Sequence, residues 1–147
     1  NANIIYGYLY NAYTAIDERG VCPDGWHVPS YEEFIILKDY LGDNASIKLR
    51  QAGFEYWTNN GSTTIPGNNE SGFTGLPSGY CYLQENFYPY YPEWSLYCFA
   101  GGNAGFWLNS IISGQLRRLE LRHDASTHIN SDGQYMNEFY SIRCLKD

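Results

Sequence analysis

His123, Asp124 and His128 fall in one short stretch, with Asp132 and Glu138 downstream. Imidazoles beside carboxylates are the residue types that ligate a metal or move a proton. Their spacing argues against both uses. His123 and His128 stand five apart and not in the H-E-x-x-H register that puts two imidazoles on one helical face. The surrounding residues predict a hairpin loop, where exposed histidines are common. The four cysteines, Cys22, Cys81, Cys98 and Cys144, contain no C-x-x-C pair, which excludes a zinc ribbon or a thioredoxin-like motif. An even number of cysteines fits two disulfides in an oxidising compartment; four buried thiols acting as small hydrophobes are the alternative. Cys81 or Cys98 as a nucleophile would need a base, and His27 sits in a Gly-Trp-His-Val-Pro segment that reads as scaffold packing. No catalytic residue, metal or cofactor is expected.

A different chemistry is written in "GYCYLQENFYPYYPEWSLYCF", Gly79 to Phe99. Tyrosine offers a large contact area with two torsions to freeze and a hydroxyl for a wet partner, which suits a binding surface. Pro89 and Pro92 bracket Tyr90 and Tyr91, as in a rigid turn that presents its rings, and Cys81 and Cys98 are placed to staple the base of the loop or to remain free. Two readings of these rings stand side by side: a ligand-binding surface, or a core filled in beneath a long loop.

The elements that must position these residues follow from pattern. "IIYGYLYNAYTAI", Ile4 to Ile16, carries Tyr6, Tyr8 and Tyr10 at period two and predicts an N-terminal strand. Ser30 with Glu33 forms a capping box for a helix from Tyr31 to about Leu41, whose Phe34, Leu37 and Leu41 share one face before Gly42. Ser46 to Ala52 predicts a second, short helix. Beyond Tyr56 no helical period survives. Strands are expected at Phe106 to Ser110, Leu116 to Arg122, Thr127 to Ile129 and Phe139 to Leu145. The alternation in the second of these sends Leu119 and Leu121 to the core and Arg118, Glu120 and Arg122 to the opposite face, where two arginines suit a partner's carboxylate or a solvated surface.

Composition bounds the rest. The 147 residues fit one domain, 1–147. A net charge of -7, with nine Lys plus Arg spread thinly, provides no stripe to track a phosphate backbone, so nucleic acid is excluded as a partner. The longest apolar run, Phe34 to Leu37, is far short of a membrane span, and there is no signal-like start, so no direct membrane insertion is expected and any targeting segment has been removed or the domain excised. Aromatic residues are 18% of the chain and Tyr and Gly fifteen each, a balance that favours strands and ordered loops.

The order of strand, two helices and a loop-rich set of strands meets a known family at three places. Cys22-Pro23 with Gly25-Trp26-His27-Val28-Pro29, Ser71-Gly72-Phe73 with Leu76-Pro77 and Gly79-Tyr80, and Ser141-Ile142-Arg143-Cys144 resemble the Fibrobacter major paralogous domain family over nearly the whole chain. The resemblance implies an α+β, C-type-lectin-like fold, two helices packed on short antiparallel strands with long ordered loops. It also implies no established catalytic activity and a disulfide from Cys22 to Cys144. It points to the extracellular space or cell surface, on a bacterial envelope or a phage particle, and to a protein or glycan ligand on another cell or surface. A lectin-like relative, the formylglycine-generating enzyme, does chemistry on this fold, but fold likeness carries no activity by itself. The calcium-ligating triplets of sugar-binding lectins, Glu-Pro-Asn, Gln-Pro-Asp and Trp-Asn-Asp, do not occur.

After Tyr80 the chain departs from the family pattern, with Cys81-Tyr82-Leu83, Trp107-Leu108-Asn109-Ser110 and roughly Arg117 to Leu121 in place of its usual segments. Some members of the family are variable proteins of diversity-generating retroelements, in which adenines of Asn codons are randomised. Such codons reach Tyr, Ser, His, Asp, Arg and Ile but never Trp, Glu, Gln, Lys or Met. The half at about 80–140 is therefore expected to carry the ligand contacts, at Tyr82, Tyr88, Tyr90, Tyr91, Trp94, Tyr97, Asn109, Ile111, Arg118, Glu120, Arg122, His123, Asp124, His128 and Asn130. A structural tip module of a surface fibre or lipoprotein is the competing expectation.

Overall fold

A computed structural model describes residues 5–57, 64–85, 94–124, 127–130 and 137–147. The first elements are β1 (Tyr10–Asn11), α1 (Ala12–Ile16) and β2 (Trp26–His27), followed by α2 (Tyr31–Leu41) and α3 (Ala45–Leu49). Then come β3 (Tyr80–Glu85), β4 (Trp94–Phe99), β5 (Asn103–Ile112), β6 (Gln115–Arg122), β7 (Thr127–Asn130), β8 (Glu138–Tyr140) and β9 (Leu145–Lys146). They form three small antiparallel sheets, ordered β1-β8-β3-β4, β2-β9 and β5-β6-β7. The architecture is α+β with few helices.

The helix expected from the capping box is present with its predicted bounds. Ser30 Oγ accepts from the Glu33 N–H and the Glu33 carboxylate accepts from the Ser30 N–H, satisfying two donors that a helix start leaves open. Phe34 and Leu41 are buried on its inner face. The short second helix runs over Ala45–Leu49, shorter than Ser46 to Ala52, because Arg50 turns extended and Ala52 and Gly53 are bridged to Gly67.

The N-terminal strand is a correction. Only Tyr10–Asn11 is strand; Ile5 and Tyr6 are helical, Gly7 takes φ +76° just after them, and the Asn11 side chain accepts from the Thr14 N–H to start α1. Tyr8 is exposed, so the period-two tyrosines line no buried sheet face. Between Ala12 and Leu49 the chain accordingly has three helices, not two, besides the helical residues Ile5 and Tyr6. The expected Phe139 to Leu145 strand is also split, into β8 and β9.

The β5–β6 hairpin lies between two apolar clusters. On one side Ala104, Phe106, Leu108, Leu119 and Leu121 pack with Phe34, Leu41, Leu49 and Trp57. On the other, Trp107 and Leu116 pack with Ala12, Ala15, Val28 and Tyr140. Leu119 and Leu121 face the core as their alternation predicts, while the opposite face runs from buried Arg118 through half-buried Glu120 to exposed Arg122. A Cβ on Gly105 would run into the Tyr140 ring, which explains the glycine there.

Cys22 and Cys144 are joined, as are Cys81 and Cys98. The first bridge ties the segment before β2 to the chain just ahead of β9, and Cys22 packs against the second cluster. His27 is a second correction: it is a half-exposed link, with Nδ1 2.6 Å from the Asp147 carboxylate and Nε2 2.9 Å from that of Glu33. Two carboxylates facing both ring nitrogens favour the imidazolium, which raises its pKa above 6.5.

Candidate functional site

The Tyr-rich segment begins on a strand held from both sides. β3 pairs with β4 in the register Cys81↔Cys98, Tyr82↔Tyr97 and Leu83↔Leu96, and on its other edge with β8 through Cys81↔Phe139 and Tyr82↔Glu138. The disulfide is therefore a cross-strand rung at the root of the hairpin. Leu83 donates to the Asn137 carbonyl at 2.9 Å, and the Asn137 side-chain amide donates to the Leu83 carbonyl, extending the ladder beyond β8.

Along the base of this sheet runs an aromatic stack. Tyr82 and Tyr80 lie 6.4 Å apart and nearly parallel, Tyr80 and Tyr140 5.6 Å apart, and Trp107 meets Tyr140 edge-on at 4.8 Å. Burial pushes the Tyr80 and Tyr140 hydroxyls above the ordinary phenol range, so both rings stay neutral. The Trp107 indole N–H donates to the Tyr10 carbonyl at 2.8 Å. Tyr80 and Tyr140 are thus floor, while Tyr82 is half-buried at the outer end of the stack.

Beside the disulfide the chain encloses an open groove of about 410 Å³ lined by Tyr80, Cys98, Ala100, Gly102, Asn103, Arg122 and His123. Its walls are the root of β4 and the register pair Asn103↔Arg122 of the β5–β6 hairpin. Gly101 takes φ +93° and donates to the Pro77 carbonyl, which turns the chain from β4 into β5. His123 Nδ1 is 3.2 Å from the Gly102 carbonyl; as donor there, the neutral ring keeps Nε2 as its acceptor. Behind it, Arg50 donates to the His123 carbonyl at 3.2 Å while stacking over Trp57. Burial pulls the Arg50 pKa down and nearby Asp124 opposes that fall. Asn103 reaches the Glu120 carboxylate at 3.4 Å.

Of the expected contact residues, Arg122 and His123 line the groove, Asp124 is exposed next to it, and Glu120 is half-buried and engaged with Asn103. Asn109 and Ile111 are exposed but lie toward the β5–β6 turn, six and eight residues from Asn103 and so roughly 20 and 26 Å along the strand. They belong to a different surface.

Arg118 is a correction. It is buried, with its guanidinium 3.3 Å from the Glu138 carboxylate and 4.8 Å over the Tyr140 ring, because the face of β6 it occupies is roofed by the β1-β8-β3-β4 sheet. It locks two sheets together and is not offered to a partner. Tyr88, Tyr90 and Tyr91 lie outside the described residues, as does Asp132. Trp94 and Tyr97 are described as backbone positions of β4, and His128 and Asn130 as backbone positions of β7.

Sequence reasoning missed Tyr80 and Asn103. Tyr80 was absorbed into the Gly79-Tyr80 scaffold motif; Asn103 carried one usable signal, its place directly after Gly101-Gly102 at a strand start. Among the described residues no group of three or more His, Cys, Asp or Glu side chains is placed to hold a metal ion. The groove offers an arginine, an imidazole, an amide and a phenol, which bind and orient hydroxyls and carboxylates, with both nearby sulfurs committed to the disulfide.

Among the described residues no helix is long and apolar enough to cross a membrane, and the two disulfides fit a secreted or extracellular protein. No characterised protein and no solved structure matches the chain. The Fibrobacter succinogenes major domain matches residues 1–146, in agreement with the Cys-Pro, Gly-Trp-His-Val-Pro and Ser-Ile-Arg-Cys segments now seen at the first disulfide and the β2–β9 pair; the chain belongs to that family.

Proposed function

We propose that this chain is a non-catalytic ligand-binding domain of C-type-lectin-like fold, displayed outside the cell, that grips a protein or glycan on another surface with the β3–β4 hairpin and the groove at its root. The observation that carries the reading is the junction itself: a disulfide-stapled, tyrosine-rich hairpin next to Arg122, His123 and Asn103. Tyr82 is the described ring of the hairpin that sits at the rim of the buried stack, and Arg122 supplies a planar cation suited to carboxylates. The hairpin is held by its own staple and by β8, an anchorage independent of the long disulfide. That independence supports the further reading that the segment is diversified by a retroelement.

Binding is tested by screening the chain and an R122A/H123A variant against arrays of bacterial-surface glycans and envelope proteins. Ligands retained by the chain and lost by the variant support the reading. Ligands held equally by both overturn the site, and an absence of ligands favours a structural tip module. Diversification is tested separately in the flanking DNA: a reverse transcriptase and a near-copy of the Tyr80 to Asp147 coding segment differing only at adenines support it. Sister chains in which Trp94, Trp107 and Glu138 vary as freely as Tyr82 would refute it.

A further inference from the structure

Well away from the hairpin, between α2 and the β5–β6 hairpin, lies an apolar cavity of about 250 Å³ lined by Phe34, Leu37, Phe73, Phe106, Leu108 and Leu119, with Arg143 at its edge. Protein interiors are close-packed, and an empty apolar cavity leaves its lining side chains without partners. An apolar cavity of about 150 Å³ accommodates benzene, so this one has room for roughly ten non-hydrogen atoms. The Arg143 guanidinium stands 4.7 Å over the Phe73 ring, itself part of the lining, and among the described residues no carboxylate pairs with it. Arg143 is exposed on its outer side, while its apolar neighbours pull its pKa below that of an ordinary arginine. Glu33 also borders the cavity, but its two oxygens are engaged by the Ser30 N–H and by His27, which offsets its charge.

We infer that this cavity is a second binding site, for a small organic acid whose apolar body fills the space under α2 and whose carboxylate pairs with Arg143. A planar cation with no carboxylate partner among the described residues, at the edge of an apolar cavity, selects an amphipathic anion over a neutral molecule of the same size, because the charged hydrogen bonds form only with the carboxylate.

The test is calorimetric titration of the whole chain with octanoate and with 1-octanol, repeated on R143Q and L37W. Octanoate is expected to bind at least about tenfold more tightly than octanol. R143Q removes that preference while leaving octanol binding within about twofold, and L37W, which extends a half-buried side chain into the cavity, abolishes binding of both. Absence of octanoate binding, equal affinity for the two probes, or octanoate binding that survives L37W overturns the proposal. If R143Q fails to fold, the ratio of the two probes on the unaltered chain together with L37W decides it. Neither variant touches the groove beside Cys98, so loss here is independent of the hairpin site.

Discussion

The two disulfides divide the molecule into regions built on different terms. Cys22–Cys144 spans 122 residues and draws the first third of the chain onto its end, where Cys22 packs against a buried cluster. Cys81–Cys98 spans 17 residues between directly opposed positions of one hairpin, and Cys98 is exposed. The long bridge restrains a whole scaffold; the short one restrains only the strands it sits on. A surface that must change while its support stays constant is best placed on the second kind of region, whose stability is supplied locally.

The comparison is most directly broken by removing each bridge. C22S/C144S is expected to cost about 5 kcal/mol on the chain-entropy model, enough to unfold a domain of this size at moderate temperature. Urea unfolding followed by tryptophan fluorescence measures it, and a loss under about 2 kcal/mol would mean that the long bridge does not organise the scaffold. Next in size is the seam between the regions. R118A takes the cation from the mostly buried Glu138 carboxylate and should cost about 3 kcal/mol, whereas R118M/E138Q recovers most of the loss. A double variant as unstable as R118A alone would show that the charged pair itself, and not side-chain volume packed on Tyr140, holds the seam.

C81S/C98S should cost about 3 kcal/mol on the same entropy argument, with the loss concentrated in the hairpin. Hydrogen exchange should show faster opening of β3 and β4 while the β5–β6 amides stay protected; global loss of protection would erase the distinction between the regions. On the scaffold side, S30A removes the cap of α2 and should cost about 1 kcal/mol in the same urea titration.

The smallest effect is the pH dependence of the His27 link. His27 binds its proton more tightly in the folded chain, so its contribution is complete below 6.5 and fades as pH rises through the raised folded value. Glu33 is shifted the other way, chiefly by the Ser30 N–H, so its contribution is present above 4.5 and fades as pH falls through the lowered folded value. The melting temperature should therefore sag on both sides of a mildly acidic optimum, and H27Q should flatten the alkaline side. The link is half in solvent, so added salt should shrink the sag.

How much of this was legible depended on whether a residue's role was set by its neighbours in the chain. The capping box of α2, its buried face at Phe34 and Leu41, and the inward alternation of Leu119 and Leu121 were readable because helix and strand periods are local. Arg118 was misread because its alternation was right and its surroundings were not: no local pattern reveals that a second sheet roofs the other face of β6. Tyr6, Tyr8 and Tyr10 failed for the converse reason. Their period matched a strand, yet Gly7 and the Asn11 cap redirected the backbone.

Of the residues expected to contact a ligand, Arg122 and His123 lie at the groove, but Asn109 and Ile111 were grouped with them across a distance that only the hairpin register reveals. The amino-acid sequence by itself determined the family, the α+β class and the position and cap of the principal helix, because these rest on motif, periodicity and composition. The tertiary structure alone decided that Cys81 and Cys98 are bonded and not free, which arginine is buried against Glu138 and which stands open beside His123. It also decided that an apolar cavity ends at Arg143, because each of those depends on groups brought together from distant parts of the chain.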